Sequence, residues 1–459
     1  MTNWIAIGAG EGWTPGRHVS EAPSGVVRLG QYWGKLTEDE RQMTIGGSRG
    51  LLHGREGELL LDLVYVFVLT RFSQRLVEDF TTERRIILPE VGQTTLLLLA
   101  LWLIWVHAAF VTSRVDPQRP VTQLLVVWTM FGSMIMAVTL PDAFGDRAVV
   151  FAVTYVAIQV GKPVILLLAR RDRGRHSPAR HLCWAALSAV PWIVGAVLFP
   201  QSPARGVLWT LAIALDYTGL VLGWLVPGLG RTGAEDWRLA GKHLAERYQQ
   251  FIIITIGETI LLTGVTFADK FTPDRVAPTV MSFATAVLMW RIYFHRAGTV
   301  FPAAIEAAPH PDRLVKSGYY THLVMVTGIL ATGVGYALVI DQPRGHQDPL
   351  WLAVILGGPA LFLAGRSRLE YEVFARVSPS RVIGLLTLVA LTPAMVGRAP
   401  VIVATAAAVV LAGGYGVGRH TRMETPRRGA LATALGGPQR MPPAEVEAAR
   451  RQRRLRPRL

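Results

Sequence analysis

The sequence predicts an all-α, polytopic transmembrane bundle of about twelve helices, and three observations predict it. Of 459 residues, 51% are hydrophobic and only 17% charged, with a mean hydropathy of +0.34; a soluble chain carries about a quarter charged residues. After residue 57 the chain is a string of 16- to 23-residue apolar runs separated by short polar gaps. About 20 residues at 1.5 Å rise cross a hydrocarbon core roughly 30 Å thick, so runs of this length read as membrane spans. The third observation is an uneven distribution of basic residues among the gaps.

Taken in order, the spans are 58–76, 94–112, 121–140, 148–169, 182–200, 207–229, 249–268, 277–294, 318–340, 350–365, 382–397 and 401–418. Proline, glycine or charge marks the breaks, as at Asp116-Pro117, Pro141-Asp142, Pro227-Gly228 and Arg398-Ala399-Pro400. Three segments follow: an N-terminal stretch 1–57, a transmembrane domain 58–418 and a basic tail 419–459 expected to be disordered. The first 50 residues hold no apolar core behind a basic start, so the first helix is expected to act as its own insertion signal.

Lys and Arg number 18 in the loops after even-numbered helices and 8 in those after odd-numbered ones. By the positive-inside rule, both termini are expected on the cytoplasmic side of the cell membrane. The tail adds eleven arginines against three glutamates on that same side, which favours an even helix count. Its run Arg450-Arg451-Gln-Arg453-Arg454-Leu-Arg456-Pro-Arg458 reads as a solvated tail or an anionic-lipid contact. The net charge of +15 therefore points to membrane orientation, and no nucleic acid partner is expected. The single cysteine, Cys183, excludes an internal disulfide and a multi-thiol metal site. No Walker-type phosphate loop or HExxH occurs, and Gly-Gly-Ser-Arg-Gly at 46–50 reads as a flexible approach to helix 1, not a nucleophile elbow, so neither a metal nor an organic cofactor is indicated.

An ionisable side chain at membrane depth costs at least a few kcal/mol, roughly 2.5–3.5 on insertion scales, and so needs a partner or a purpose. Helix 1 reads Glu58-Leu-Leu-Leu-Asp62-Leu-Val-Tyr65, which places Glu58, Asp62 and Tyr65 on one face, with Arg71 and Arg75 near the far end. The stripe reads either as a buried acid–base path or as a set of interhelix pairs and snorkelling arginines. Helix 7 carries Glu258 at its middle, beside Gly257, whose missing side chain would permit a close backbone approach. A carboxyl there is a proton carrier, a cation ligand or a general acid; structurally, it would pair with Arg291, His107 or His295. His107, His295 and His322 each sit on aromatic or apolar faces, read as hydrogen-bonded core residues or, together, as exchangeable protons. Lys162, Asp216 and Tyr217 carry the same two readings, and Pro163 after Lys162 reads as a kink.

Trp102-Leu-Ile-Trp105-Val-His107 in helix 2 matches Trp290-Arg-Ile-Tyr293-Phe-His295 in helix 8, each after a helix bearing an acid. This suggests a 6+6 parallel repeat, although Trp and Tyr also favour membrane interfaces generally.

On these residues the chain resembles the bacterial low temperature requirement protein A family. The resemblance spans most of residues 50–420. It rests on Glu58-Leu-Leu-Leu-Asp62-Leu-Val-Tyr-Val-Phe and on His243-Leu-Ala-Glu246-Arg247-Tyr-Gln-Gln-Phe-Ile-Ile-Ile-Thr-Ile-Gly257-Glu258-Thr259. Trp102 to Trp105, Pro141 to Gly145, Leu215-Asp216-Tyr217 and Tyr320-Thr-His322 support it. The resemblance implies a multi-helix membrane protein and little defined chemistry. Against the family pattern, a glutamine and a histidine are expected where Arg71 and Arg75 stand, and a histidine where Tyr248 stands.

Three functions compete. A transporter or permease would couple protonation of Glu258 and Asp62 to access of an unidentified small molecule, which would meet Tyr65, Arg71, Arg75, His107, Arg291, His295 and His322. An intramembrane enzyme would use Glu258 or Asp62 in acid–base chemistry on a lipophilic natural-product-like molecule, caged by Trp102, Trp105, Trp290 and Tyr293. A structural or stress-response role would involve no turnover.

Overall fold

The computed structural model describes residues 56–81, 88–114, 118–169, 177–232, 234–295, 297–308, 310–345 and 349–420. Almost all of segments 1–57 and 419–459, including the arginine run read as a lipid contact, lies outside them. The described chain is helical: α1 over 56–81, α2 (Leu88–Thr112), α3 (Pro120–Thr139), α4 (Ala148–Leu168), α5 (Ser177–Leu198), α6 (Pro203–Leu222), α7 (Ala234–Asp269), α8 (Pro273–Phe294), α9 (Ala297–Ala307), α10 (Pro311–Asp341), α11 (Pro349–Phe374), α12 (Pro379–Met395) and α13 (Pro400–His420). Seven of these open on proline, which lacks only a donor that the first helical turn leaves unpaired anyway.

Each expected span has its own helix, and α9 is an additional short one between α8 and α10. Nine helical stretches among the described residues are long and apolar enough to cross a membrane. The helices leave Leu63, Phe131, Val190, Val207, Phe283 and Ile383 uncovered on their outer surfaces. Apolar exposure this widespread suits lipid, not water.

Several boundaries differ from the expected ones, and those around α6 and α7 matter most for the site. The sixth helix stops at Leu222, because Gly223 takes a left-handed conformation (φ 67°) and its N–H and that of Trp224 turn back onto Leu220 and Gly219. Helix α7 starts at Ala234, well before the apolar run at 249. Its first turns are charged, and a hydropathy reading sees only apolar helix. That extension brings His243 and Arg247 alongside α1.

Helices α1 and α7 run parallel and in register. Contacts join Glu58 to His243, Asp62 to Arg247, and Thr70 to Glu258, at sequence offsets of 185, 185 and 188. Helices α10 and α11 approach closest at glycine. A Cβ on Gly328 would lie 2.4 Å from the Phe362 nitrogen, and one on Gly358 2.6 Å from that of Thr332. Small residues of this kind let membrane helices pack backbone to backbone. Gly257 makes no such approach; a Cβ there would meet nothing within 4 Å.

Contacts between helix ends fix which ends share a level. The Glu58 end of α1 meets the start of α7 at His243, which also touches Ser113 just beyond α2. Arg180 near the start of α5 reaches the Leu229 carbonyl beyond α6, and Arg366 of α11 reaches Ile292 and His295 at the end of α8. At the opposite level, Arg75 near the end of α1 donates to the Leu140 carbonyl after α3. There too Trp351 reaches Phe80, Arg205 reaches Phe144 and Gly145, and Arg275 reaches Asp341. Most of these donors are buried arginines. The last carbonyls of a helix have no intrahelical partner, and a guanidinium fork can satisfy two of them at once. Arginines counted as loop charge, Arg180, Arg205, Arg247, Arg275, Arg366 and Arg381, are in fact buried.

Candidate functional site

The α1–α7 seam holds Glu58, Asp62 and Glu258, the acids singled out in helices 1 and 7, in different surroundings. Asp62 forms a bidentate pair with Arg247, Nη1 to Oδ2 and Nη2 to Oδ1 each at 2.7 Å. Trp105 Nε1 donates to Asp62 Oδ1 at 3.2 Å, and the guanidinium lies over the Trp105 ring, 5.7 Å from its centre. Arg247 also donates to Gln250, three residues on. Both charged groups are buried, and each satisfies the other with planar, fork-to-fork geometry. A turn earlier, Glu58 lies 3.3 Å from His243 Nε2, whose other ring nitrogen is 2.9 Å from Ser113 Oγ. Glu58 is thus buried against a partner.

Glu258 is 1% exposed and meets α1 through the Thr70 hydroxyl at Oε2. Its Oε1 has no hydrogen-bond partner, and the carboxyl forms no ion pair among the described residues. Thr70 also donates to the Val66 carbonyl at 2.9 Å. The side chains expected to pair with Glu258 lie elsewhere: His107 contacts Gln159, and Arg291 stands exposed on α8.

The remaining candidates divide between core and surface. Tyr65 is buried and donates to the Leu101 carbonyl. Trp102 and Trp105 stack on one another and pack with Tyr248 and Phe251. Tyr248 in turn lies flat against His322, ring centres 4.7 Å apart. His322 Nδ1 faces the Gly318 carbonyl at 2.6 Å while Nε2 faces the Tyr293 hydroxyl at 2.9 Å. With Nδ1–H donating and Nε2 accepting, both ring nitrogens are satisfied in a neutral imidazole. His295 is half-buried, and its carbonyl accepts from Arg366. Trp290 is 45% exposed on the outer surface. Arg71 bonds within its own helix to Gln74, and Arg75 serves the end of α3 and lies near Asp79. The structure therefore joins Asp62, Tyr65, Trp102 and Trp105 in one packed core, with Glu258 farther along the same seam.

His107 belongs to a second region, together with Lys162 and Asp216. A cavity of about 130 Å³ lies among α2, α4, α5 and α6, and a neighbouring one of about 290 Å³ shares His107, Phe110 and Trp224 with it. Sequence reasoning missed Arg247 as a partner of Asp62, because it fell in an apparent loop. The signal was available in the helical spacing of His243, Arg247 and Gln250. No group of three or more metal-ligating side chains gathers among the described residues.

The family model described as bacterial low temperature requirement A protein (LtrA) matches residues 56–414. An uncharacterized protein of Rhizobium meliloti (strain 1021) is 36% identical over 342 residues, covering 72% of this chain and 81% of that relative. No solved structure matches the chain. The matched region holds α1 through the apolar part of α13 and all three acids of the seam, so the chain belongs to the bacterial low temperature requirement A protein family.

Proposed function

We propose that the protein is a permease for a small molecule, with Glu258 as its proton carrier. One observation carries this reading: Glu258 is the acid of the α1–α7 seam that lacks a cation, while Asp62 is fully engaged by Arg247. An unpaired charge at that depth is costly, so the carboxyl is stable when protonated or hydrated. The Thr70 hydroxyl has one hydrogen and two acceptors in reach, the Val66 carbonyl and Glu258. A proton on Glu258 supplies the second hydrogen, letting Thr70 serve Val66 while the acid donates to Thr70. Losing that proton reverses the bond and leaves Val66 short. Protonation of Glu258 is thereby linked to the α1–α7 contact, which is what coupling requires. Asp62 acts in this scheme as a fixed anchor.

The same reading includes twelve crossings with both ends of the domain cytoplasmic. The helix-end contacts support it, since they alternate level along the chain with α9 returning to the level it left. The parallel packing of α1 on α7 is also what a 6+6 parallel repeat would place near its axis. Against that repeat, Trp102 is buried whereas its counterpart Trp290 is exposed.

The enzymatic alternative asks for an apolar cage of Trp102, Trp105, Trp290 and Tyr293 around the acid. Three of these fill the core and the fourth faces outward, so no observation favours it. The test compares metabolites inside and outside cells carrying wild type, Glu258→Gln or no gene. We expect a compound that changes sides with wild type and remains on its original side with Glu258→Gln. A precursor that accumulates while its product disappears from both sides would sink the permease reading.

A further inference from the structure

The cavity of about 130 Å³ has a composition that the Glu258 reading does not use. Lys162, on α4, lines it; the residue is 5% exposed and its Nζ has no hydrogen-bond partner. His107 Nε2 is likewise buried and unpartnered, its Nδ1 lying 3.4 Å from Gln159. Arg114 and His181 bring further basic groups to the wall, at the level where α2 ends and α5 begins. Asp216 is the one acid lining the cavity, and it accepts from the Tyr155 hydroxyl at 2.8 Å. Counting Lys162, Arg114 and Asp216 as charged leaves one positive charge before either histidine is protonated. The rest of the lining is apolar and aromatic, including Phe110, Trp184 and Trp224.

A buried ammonium with no partner costs several kcal/mol unless something answers it. Asp216 lies close enough to act on Lys162 electrostatically but forms no salt bridge with it. The lining therefore combines an unpartnered amine that a bound anion would hold charged, two further titratable bases and flat apolar walls. A dry apolar cavity of about 150 Å³ accommodates benzene, so this one is of the size for a single ring. We propose that the cavity is a binding site for a small monoanion with an apolar body, of the aromatic carboxylate class, its carboxylate on Lys162 and its ring between the aromatic side chains. Arg114 sits toward the end of the bundle and draws the anion in, while His107 supplies a second donor at depth. Asp216 opposes the ligand's charge and sets an upper bound on affinity.

The site stands on its own geometry and does not depend on the permease reading. Binding without flux would retain the site and remove transport; flux without benzoate binding would do the reverse. The test uses the full-length protein in detergent with benzoate as probe, followed by calorimetry and by tryptophan fluorescence. We expect saturable binding, with benzyl alcohol at least tenfold weaker. Lys162→Met should weaken benzoate at least tenfold and leave benzyl alcohol within a factor of three. Asp216→Asn should tighten benzoate, a change opposite in sign to general damage, and keeps the idea testable if Lys162→Met fails to fold. Equal affinities for benzoate and benzyl alcohol, or benzoate binding that Asp216→Asn leaves unchanged or weakens, would overturn the proposal.

Discussion

At the scale of single residues, Asp62 and Glu258 on the α1–α7 seam show the same carboxyl group in two different environments. Asp62 is charge-paired, hydrogen-bonded by Trp105 and enclosed. Removing one member of such a pair strands the other, typically at a cost of about 3–5 kcal/mol, whereas replacing both by apolar residues is often neutral. We therefore expect Asp62→Leu and Arg247→Met each to lower unfolding stability in detergent by about that amount. The double variant should recover most of the loss. Additive losses in the double variant would mean that the two residues act separately. Glu258→Gln keeps the shape of the side chain and removes only its ability to exchange a proton. It should unfold within about 1 kcal/mol of wild type, consistent with a neutral group already at that position.

At the scale of helices, close packing is concentrated where side chains are absent. The α10–α11 seam relies on Gly328 and Gly358, each facing the other helix's backbone. Overpacking a tight site costs about 1–3 kcal/mol or more, because the backbone must separate. Gly358→Leu is expected to lower the unfolding midpoint sharply, while Gly257→Ala, with open space around it, should be neutral or slightly stabilising. Equal effects in a thermal unfolding series would contradict this division of roles. The apolar runs made the helices legible, because each is bounded by proline, glycine or charge. What the runs could not reveal was the amphipathic first part of α7, where charged residues continue a helix that hydropathy ends. That concealed Arg247, and with it the state of Asp62. Similarly, a lone arginine near a loop reads as surface charge until a helix end is found against it, as with Arg366 and the Ile292 carbonyl.

At the scale of the whole molecule, the all-α membrane class was legible from composition and run length, and the family from short motifs in α1 and α7. Much of the candidate site was not, since Lys162, His107, His181 and Asp216 come from four helices whose adjacency no local pattern encodes. The alternation of helix-end contacts leads to a topological prediction. In a Cys183→Ser background, Asp146→Cys and Arg344→Cys are expected to react with a membrane-impermeant thiol reagent added outside cells. Arg231→Cys and Arg376→Cys should react only after permeabilisation. Outside labelling of either of the latter pair would reject a twelve-crossing arrangement with both ends inside.

The offset shared by the Glu58–His243 and Asp62–Arg247 contacts also bears on how the protein is made. The first helix leaves the ribosome carrying Glu58 and Asp62, and the residues that answer them, His243 and Arg247, are each encoded 185 positions later. At about 5–20 residues per second, the wait is roughly 10–40 s. Throughout that interval α1 is a poor guest for lipid, so it has reason to linger at the insertion machinery or beside α2, where Trp105 already offers Asp62 a donor. Arrival of α7 would release it into place, making the assembly of the first half of the bundle contingent on synthesis of the second.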